Sequence, residues 1–294
     1  VAAHILPALG EIDCAKLTAR RIQRWHEGTA ATAPRVRTRA GAERKRGELA
    51  DDPEAVRKRR STANRLLTIL KAALARAYAA GRIASDDAWR RVKAFRAVDG
   101  VRLRYLTDDQ ARRLVNGCDL DFRPLVQAAL FTGARYAELT RLTVADFNPD
   151  SGTVLIREAK SGKPRHVVLT DEGVAFFAAV SAGKPDNALT FAKPDGKPWG
   201  KSHQQRPLAL ACKRASIAPA VSFHALRHTH ASRLAMAGVP MMVIARQLGH
   251  RDARMAERVY AHLAPSYVAD AIRAGFAPLG IADAGNLVPV RRQR

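Results

Sequence analysis

The sequence contains one β-hairpin pattern, whereas its other periodic segments have the spacing of α-helices. Two β-rich runs, TVLIRE and RHVVLT, are separated by AKSGKP, where Gly162 and Pro164 favour a turn. Over residues 61–81, and in several later segments, apolar side chains instead recur at steps of three and four residues. The sequence therefore predicts a mainly α fold that carries a small antiparallel β-sheet.

The first part of the chain is predicted to be a helical domain over residues 1–97. Within it, residues 28–60 are rich in Ala, Thr, Arg and Glu and end in RKRR, which is typical of a solvated basic insertion. Residues 98–106 are predicted to form a linker. Because the chain begins with Val1 and not methionine, we expect its natural N-terminus to lie upstream.

A second domain is predicted over residues 107–294. At its start, Thr107 and Gln110 have the spacing of a capping box, in which two side chains satisfy backbone N–H groups of the first helical turn. Near its end, apolar residues recur at helical spacing over 265–277, so a last helix is expected there.

The chain is strongly basic, with 50 Lys and Arg against 27 Asp and Glu, which gives a formal net charge of +23 over 294 residues. The excess is spread over both predicted domains, so it is not confined to a detachable tail. A protein of this charge binds polyanions, and nucleic acid is the commonest of them. Charge alone is also consistent with a ribosomal-type or merely soluble basic protein.

The cysteines point to a reducing compartment. Cys14, Cys118 and Cys212 lie far apart and form no C-x-x-C motif, which argues against a disulfide framework or a zinc knuckle. No apolar run of the sequence approaches the roughly 20 residues that span a bilayer, and no signal-peptide pattern opens it. We therefore expect a cytoplasmic protein without a membrane partner.

The groups suited to chemistry are concentrated towards the C-terminus. The segment HALRHTHASRL occupies residues 224–234, LGH ends at His250, and a tyrosine follows at Tyr260. Earlier in the chain come TGARYAEL and the hairpin KSGKPRHVVL. In this order and at these separations, the motifs resemble the tyrosine recombinase, or phage integrase, family from about residue 60 onward, with a weaker similarity at 4–25.

The resemblance implies a site that breaks a DNA phosphodiester through a covalent tyrosine intermediate. Arg135 and Arg227 match the two active-site arginines, whose forked donors suit the charge of a pentacoordinate phosphorane. Glu138 is expected to brace Arg135, with an ordinary helix-surface carboxylate as the alternative. Lys160 matches the hairpin lysine that protonates the leaving 5′-oxygen, and Lys163 is the competing candidate.

The remaining matches are two histidines and the tyrosine. His224 is expected to act as base for the tyrosine proton or to bind phosphate, and His250 to hydrogen-bond a non-bridging oxygen. Tyr260 is the expected nucleophile, although its separation from His250 is one residue longer than in many relatives. Tyr267 is the alternative nucleophile, with packing in the last helix as its other role.

Two further histidines, His228 and His230, are expected to be structural. A metal site formed by His224 and His228 is a rival interpretation, but the glutamate of an H-E-x-x-H motif is absent. We therefore expect neither a metal nor another cofactor. The cations expected to contact the DNA backbone are Arg59, Arg60, Lys71, Lys163 and Arg165.

The resemblance also implies an architecture and an activity. The architecture is a two-domain, C-shaped clamp on double-stranded DNA, with the first domain as a helical core-type DNA-binding domain. The activity is site-specific recombination or integration for a phage or other mobile element, in the bacterial cytoplasm and at the nucleoid. Alternatives are a catalytically silent DNA-binding relative and a relaxing topoisomerase of type IB.

Assembly on DNA follows from the same resemblance. The family forms a homo-tetramer on its DNA site and exchanges a C-terminal segment between protomers. The apolar residues at 265–277 match that segment, and packing on their own domain is the alternative. DNA-bending accessory proteins are further expected partners.

Overall fold

A computed structural model describes residues 3–36, 38, 43, 45–48, 52–98, 104–157, 164–263 and 272–275. The chain forms two compact units, Val1–Arg102 and Leu103–Arg294, and the division falls inside the predicted linker. The described part of each unit is largely helical, and a three-stranded antiparallel sheet belongs to the second. The predicted fold class is confirmed, whereas the C-shaped clamp stays a prediction.

The first unit is built on the long helix α3. Its elements are α1 Leu6–Leu9, a 3-10 turn Cys14–Lys16, α2 Ala19–Ala31, α3 Pro53–Ala79 and α4 Asp87–Arg90. Apolar faces of α2, α3 and α4 meet in one core that includes Ile22, Leu70 and Trp89. The buried His26 is satisfied by a hydrogen bond of 3.0 Å to the Asn64 side chain. This core gives the unit its own apolar interior.

The prediction of a basic insertion over residues 28–60 is wrong at the C-terminal end of that range. Helix α3 begins at Pro53, so the RKRR run lies in its first turns and not in a loop. Asp52 caps this helix by accepting hydrogen bonds from two N–H groups of the first turn, and proline is well suited to the first helical position. The composition concealed this start because charged residues are common both in loops and on exposed helix faces.

The second unit surrounds helix α10. Its elements are α5 Asp108–Gly117, α6 Arg123–Thr132, α7 Tyr136–Leu139, a 3-10 turn Val144–Asp146, β1 Phe147–Asn148, β2 Thr153–Ile156, β3 Arg165–Val168, α8 Asp171–Ser181, α9 Gln205–Arg214, α10 His224–Met236, α11 Met241–Leu248, α12 Arg254–Tyr260 and a 3-10 turn Ala261–Leu263. The capping box of Thr107 and Gln110 is present at the start of α5. Helix α10 packs against α6, α11 and α12.

The sheet has the order β1-β2-β3. Strands β2 and β3 are the predicted hairpin, with Leu155 opposite His166. Strand β1 pairs with β2 and places Phe147 opposite Val154. It was not predicted, because two residues are too few to show the alternation of a strand.

A buried hydrogen bond at Thr229 fixes α10 to the start of the second unit. The hydroxyl of Thr229 accepts a hydrogen bond from the backbone N–H of Leu106 at 2.9 Å and donates to the carbonyl of Ala225 at 2.9 Å. Thr229 is fully buried, so both bonds form away from water. The start of the second unit is therefore attached directly to the helix that carries the HALRH motif.

The C-terminal helix predicted at 265–277 lies outside the described residues except for 272–275, in which Ile272 is exposed. Among the helices that the structure describes, none is both long enough and apolar enough to cross a membrane.

Candidate active site

The TGARYAEL segment turns sharply after helix α6. Gly133 has φ of +62°, and a Cβ there would lie 2.7 Å from the ring of His230 and 2.9 Å from Leu248. Glycine is therefore required both by the backbone conformation and by the space available. The turn leads into Arg135, which is the N-cap residue of α7.

Glu138 is a buried carboxylate shared by two arginines. It accepts hydrogen bonds from Arg135, at 2.8 Å from Nη1 and 2.9 Å from the backbone N–H, and from Nη2 of Arg165 at 2.8 Å. Burial opposes ionisation of Glu138, but the hydrogen bonds from Arg165 and Arg135 outweigh it and lower its pKa below the ordinary value. Glu138 is therefore ionised at neutral pH and holds Arg135 in place.

Arg165 faces the interior of the second unit. Only 9% of its side chain is exposed, and its Nε donates to the carbonyl of Gln247 at 3.2 Å. A Cβ on Gly249 would lie 2.8 Å from its Cδ, so the side chain is packed tightly against the LGH turn. The Arg165 guanidinium is thus buried against Glu138, and its predicted contact with the DNA backbone stays a prediction.

Arg227 is held by the C-terminal ends of two helices. Its guanidinium donates to the carbonyl of Gly133 at 2.8 Å, after α6, and to the carbonyl of Leu248 at 2.5 Å, at the end of α11. Helix C-termini carry partial negative charge, which compensates a buried cation. Burial and the charge of Arg135 lower the pKa of Arg227 to about 10, so it remains protonated at neutral pH.

The two predicted catalytic histidines are electrostatically coupled to these arginines. His224 is exposed as a whole residue, but partial desolvation of its ring, followed by the charges of Arg227, Arg135 and His250, lowers its pKa. Burial, followed by Arg227, Arg135 and Arg165, lowers the pKa of His250 to about 4. Both imidazoles are therefore neutral at pH 7. The Nδ1 atom of His250 is buried and has no hydrogen-bond partner within the described part of the chain.

Tyr260 ends helix α12 with its phenol buried. Its Oη lies 2.8 Å from Nδ1 of His228, and only 2% of the residue is exposed. Burial raises the pKa of Tyr260 to about 12, although the charge of Arg227 opposes the rise. Burial, followed by the charges of His224 and Arg227, lowers the pKa of His228 to about 4. At neutral pH the protonated phenol of Tyr260 therefore faces the neutral imidazole of His228.

The contact of His228 with Tyr260 was missed by sequence reasoning, which treated His228 as structural. The HALRH motif does place His228 one helical turn after His224. Only the packing of α12 against α10 brings the phenol to it. His230 does have the predicted structural role, since its Nδ1 donates to the carbonyl of Leu130 at 2.9 Å.

Three predicted DNA-contact cations belong to the first unit and already have partners there. Arg59 donates to the carbonyl of Thr29 at 2.6 Å, and Lys71 donates to the carbonyl of Val92 at 2.6 Å. The guanidinium of Arg60 lies over the ring of Phe95, 5.4 Å from its centre.

Three other predicted residues, Lys160, Lys163 and Tyr267, lie outside the described residues. Within the ranges that the structure covers, no three His, Cys, Asp or Glu side chains form a group that could hold a metal ion.

The phage integrase family matches residues 104–266, which is more than half of the chain. The chain belongs to this family. It is 30% identical to the integrase of Salmonella phage P22 over 183 residues, which cover 58% of this chain and 47% of the relative. It is 32% identical over 136 residues to tyrosine recombinase XerD of Mycobacterium tuberculosis, covering 44% of this chain and 43% of the relative. The chain thus spans about half the length of these relatives.

Solved structures share the fold at low sequence identity. The Tn1549 transposon integrase, in complex with a circular intermediate DNA, has a TM-score of 0.66 and 18% identity, covering 91% of this chain and 88% of its own. A lambda integrase dimer bound to a COC′ core site has a TM-score of 0.64 and 18% identity, covering 87% of this chain and 84% of its own. At these identities the similarity establishes the fold alone.

Proposed function

We propose that this protein is a site-specific DNA recombinase that cuts and rejoins strands through a 3′-phosphotyrosyl intermediate on Tyr260. The observation that carries the proposal is the convergence of two arginines, three histidines and one phenol from separate segments of the second unit. Arg227 is central to it, because its charge acts on His224, His250 and Tyr260. Family membership supports the same activity.

The arrangement suits phosphoryl transfer by preorganised donors. Attack by a phenol adds negative charge to the non-bridging oxygens, and guanidinium groups bind such oxygens through paired hydrogen bonds. Arg227 is fixed by two backbone carbonyls, and Arg135 is fixed by Glu138. Because these donors need no reorganisation, removing either arginine is expected to slow cleavage by roughly 100- to 1000-fold.

Other parts of the proposal come from the family. Lys160 would protonate the leaving 5′-oxygen, with Lys163 as the competing donor. The phosphotyrosine ester would conserve the energy of the broken bond, so that the 5′-hydroxyl of a second strand could displace the tyrosine. The substrate would be a double-stranded recombination site of a phage or other mobile element in the bacterial cytoplasm. A homo-tetramer, with DNA-bending accessory proteins, would assemble on it.

Covalent trapping tests the proposal. The purified protein is incubated with nicked duplexes taken from the DNA that flanks its own gene, and denaturing gels reveal any protein–DNA adduct. Tyr260→Phe should form no adduct, because the attacking oxygen is missing. The matched variant Tyr267→Phe should retain the adduct. An adduct that persists in Tyr260→Phe and disappears in Tyr267→Phe would assign the nucleophile to the alternative tyrosine.

The same experiment separates the alternative functions. DNA binding without any adduct would favour a catalytically silent relative. Relaxation of supercoiled plasmids that lack a specific site would favour a topoisomerase of type IB. Joined products between two duplexes would support recombination.

A further inference from the structure

Within the part of the chain that the structure describes, the proposed nucleophile, Tyr260, forms a hydrogen bond with His228. Its Nδ1 lies 2.8 Å from the Tyr260 oxygen, within the range of an ordinary hydrogen bond. Its ring also meets the ring of His224 edge to face, with the centres 4.8 Å apart. Tyr260 therefore contacts His228 directly, and the ring of His224 packs against the same imidazole.

The protonation states favour one direction for this hydrogen bond. Burial keeps the phenol protonated, with a pKa of about 12, and the imidazole neutral, with a pKa of about 4. A neutral imidazole carries its proton on one nitrogen and accepts at the other. When that proton is on Nε2, Nδ1 accepts the hydrogen bond from the phenol of Tyr260.

We propose that His228 is the catalytic base that accepts the phenolic proton of Tyr260. The inference rests on the proposed function. As the Tyr260 oxygen bonds to phosphorus, its O–H bond breaks and the proton passes to Nδ1 of His228. The bond between phosphorus and the 5′-oxygen then breaks, and that oxygen takes a proton from the hairpin lysine. Rejoining reverses both transfers, and His224 is left to bind the phosphate.

The charges around His228 explain why the proton would move only when DNA is bound. His224 and Arg227 act on it from its own helix, and Tyr260 faces it from α12. In the free protein, the positive charge of Arg227 disfavours an imidazolium. A scissile phosphate bound to Arg135 and Arg227 offsets that charge, and a nearby anion raises the pKa of an imidazole. Substrate binding therefore makes His228 a stronger base.

The first test concerns the hydrogen bond in the free protein. Tyrosine labelled with carbon-13 at Cζ gives one NMR signal for each of the five tyrosines, and Tyr260→Phe identifies the signal of Tyr260. This signal should move in His228→Phe, which removes the acceptor but keeps a ring. It should stay in His203→Phe, a matched change at an exposed histidine. An unmoved Tyr260 signal in His228→Phe would overturn the inference.

The second test separates proton acceptance from positioning. In His228→Asn, the side-chain oxygen can accept the hydrogen bond from the phenol but cannot hold its proton. We expect covalent cleavage in a single turnover to slow by about 100-fold or more, with unchanged DNA affinity. The acidic limb of the pH–rate profile should also be lost. A wild-type rate in His228→Asn, with a slow His224→Asn, would assign the base to His224 and overturn the inference.

A modified substrate distinguishes the base from the acid. When sulfur replaces the 5′-bridging oxygen, the leaving group needs no proton. Lys160→Ala should regain its rate on this duplex, whereas His228→Asn should remain slow. Recovery of His228→Asn would contradict its role as base. Absence of an adduct with the wild-type protein would instead overturn the proposed function, and the NMR result would still decide whether the hydrogen bond exists.

Discussion

Glu138 and Arg165 form a buried ion pair, with Oε2 and Nη2 2.8 Å apart, that joins helix α7 to strand β3. The same carboxylate holds Arg135, so a single acid positions a proposed phosphate-binding arginine and secures the start of strand β3, next to the hairpin loop. The side chain of Glu138 is only 4% exposed. Its loss would leave two guanidinium groups close together without a shared counter-charge.

Glu138→Gln is therefore expected to lower both stability and activity. Removing one partner of a buried ion pair costs about 3–5 kcal/mol in the free energy of unfolding. Denaturant titration measures that loss, and the rate of covalent adduct formation measures the displacement of Arg135. The matched control is Asp146→Asn, another buried carboxylate paired with an arginine, Arg157. Asp146→Asn should lose stability, but its folded protein should form the covalent adduct at the wild-type rate. Equal losses of adduct rate in the two variants would contradict the role of Glu138 in positioning Arg135.

Gly249→Ala tests the contact between the LGH turn and Arg165. Gly249 has φ of +68°, and an added Cβ would lie 2.8–2.9 Å from Arg165 atoms that are held by Glu138. Gly183 has φ of +72° and no atom within 4 Å of an added Cβ. Gly183→Ala should therefore show the backbone cost alone, about 1–2 kcal/mol. Gly249→Ala should lose more stability in thermal or urea unfolding and also slow the adduct. Equal losses of stability in Gly249→Ala and Gly183→Ala would show that the Arg165 side chain can move away from the added Cβ without cost.

Thr229→Val tests the bond that attaches the start of the second unit to α10. The change keeps the shape but removes the acceptor of the Leu106 N–H, and an orphaned buried donor costs about 1–3 kcal/mol. Ser151→Ala removes an exposed hydroxyl of the same unit and should change stability by less than about 0.5 kcal/mol. Urea unfolding compares the two variants, and a Thr229→Val midpoint equal to that of Ser151→Ala would contradict the assigned role.

The free energy of unfolding should fall as the solution is acidified from pH 6.5 to about 4. Burial lowers the pKa of His228, His230 and His250 from 6.5 to about 4. Between these values the unfolded chain takes up protons that the folded protein excludes, so acid favours unfolding. Each histidine contributes at most about 1.4 kcal/mol per pH unit. Urea titrations at several pH values measure this slope. His230→Asn should make it shallower, and an unchanged slope would refute the contribution of His230.

Local patterns were sufficient for much of the secondary structure. The capping box at Thr107 and the hairpin of β2 and β3 depend on residues close in sequence, so spacing and turn chemistry predicted them. The start of α3 at Pro53 was missed because the charged composition was interpreted as a loop, although the Asp52 cap was present in the sequence. Motif order likewise predicted that Arg135, Arg227 and Tyr260 belong to one site.

The sequence by itself determined which residue types are available and where helices and the hairpin form, because these depend on interactions over a few residues. Tertiary structure decided the pairings between distant segments, such as Arg165 with Glu138 and His228 with Tyr260. It also decided protonation, because desolvation depends on how completely other helices cover a group. His228 could therefore be located in a motif from the sequence, but its contact with the phenol required the packing of α12 on α10.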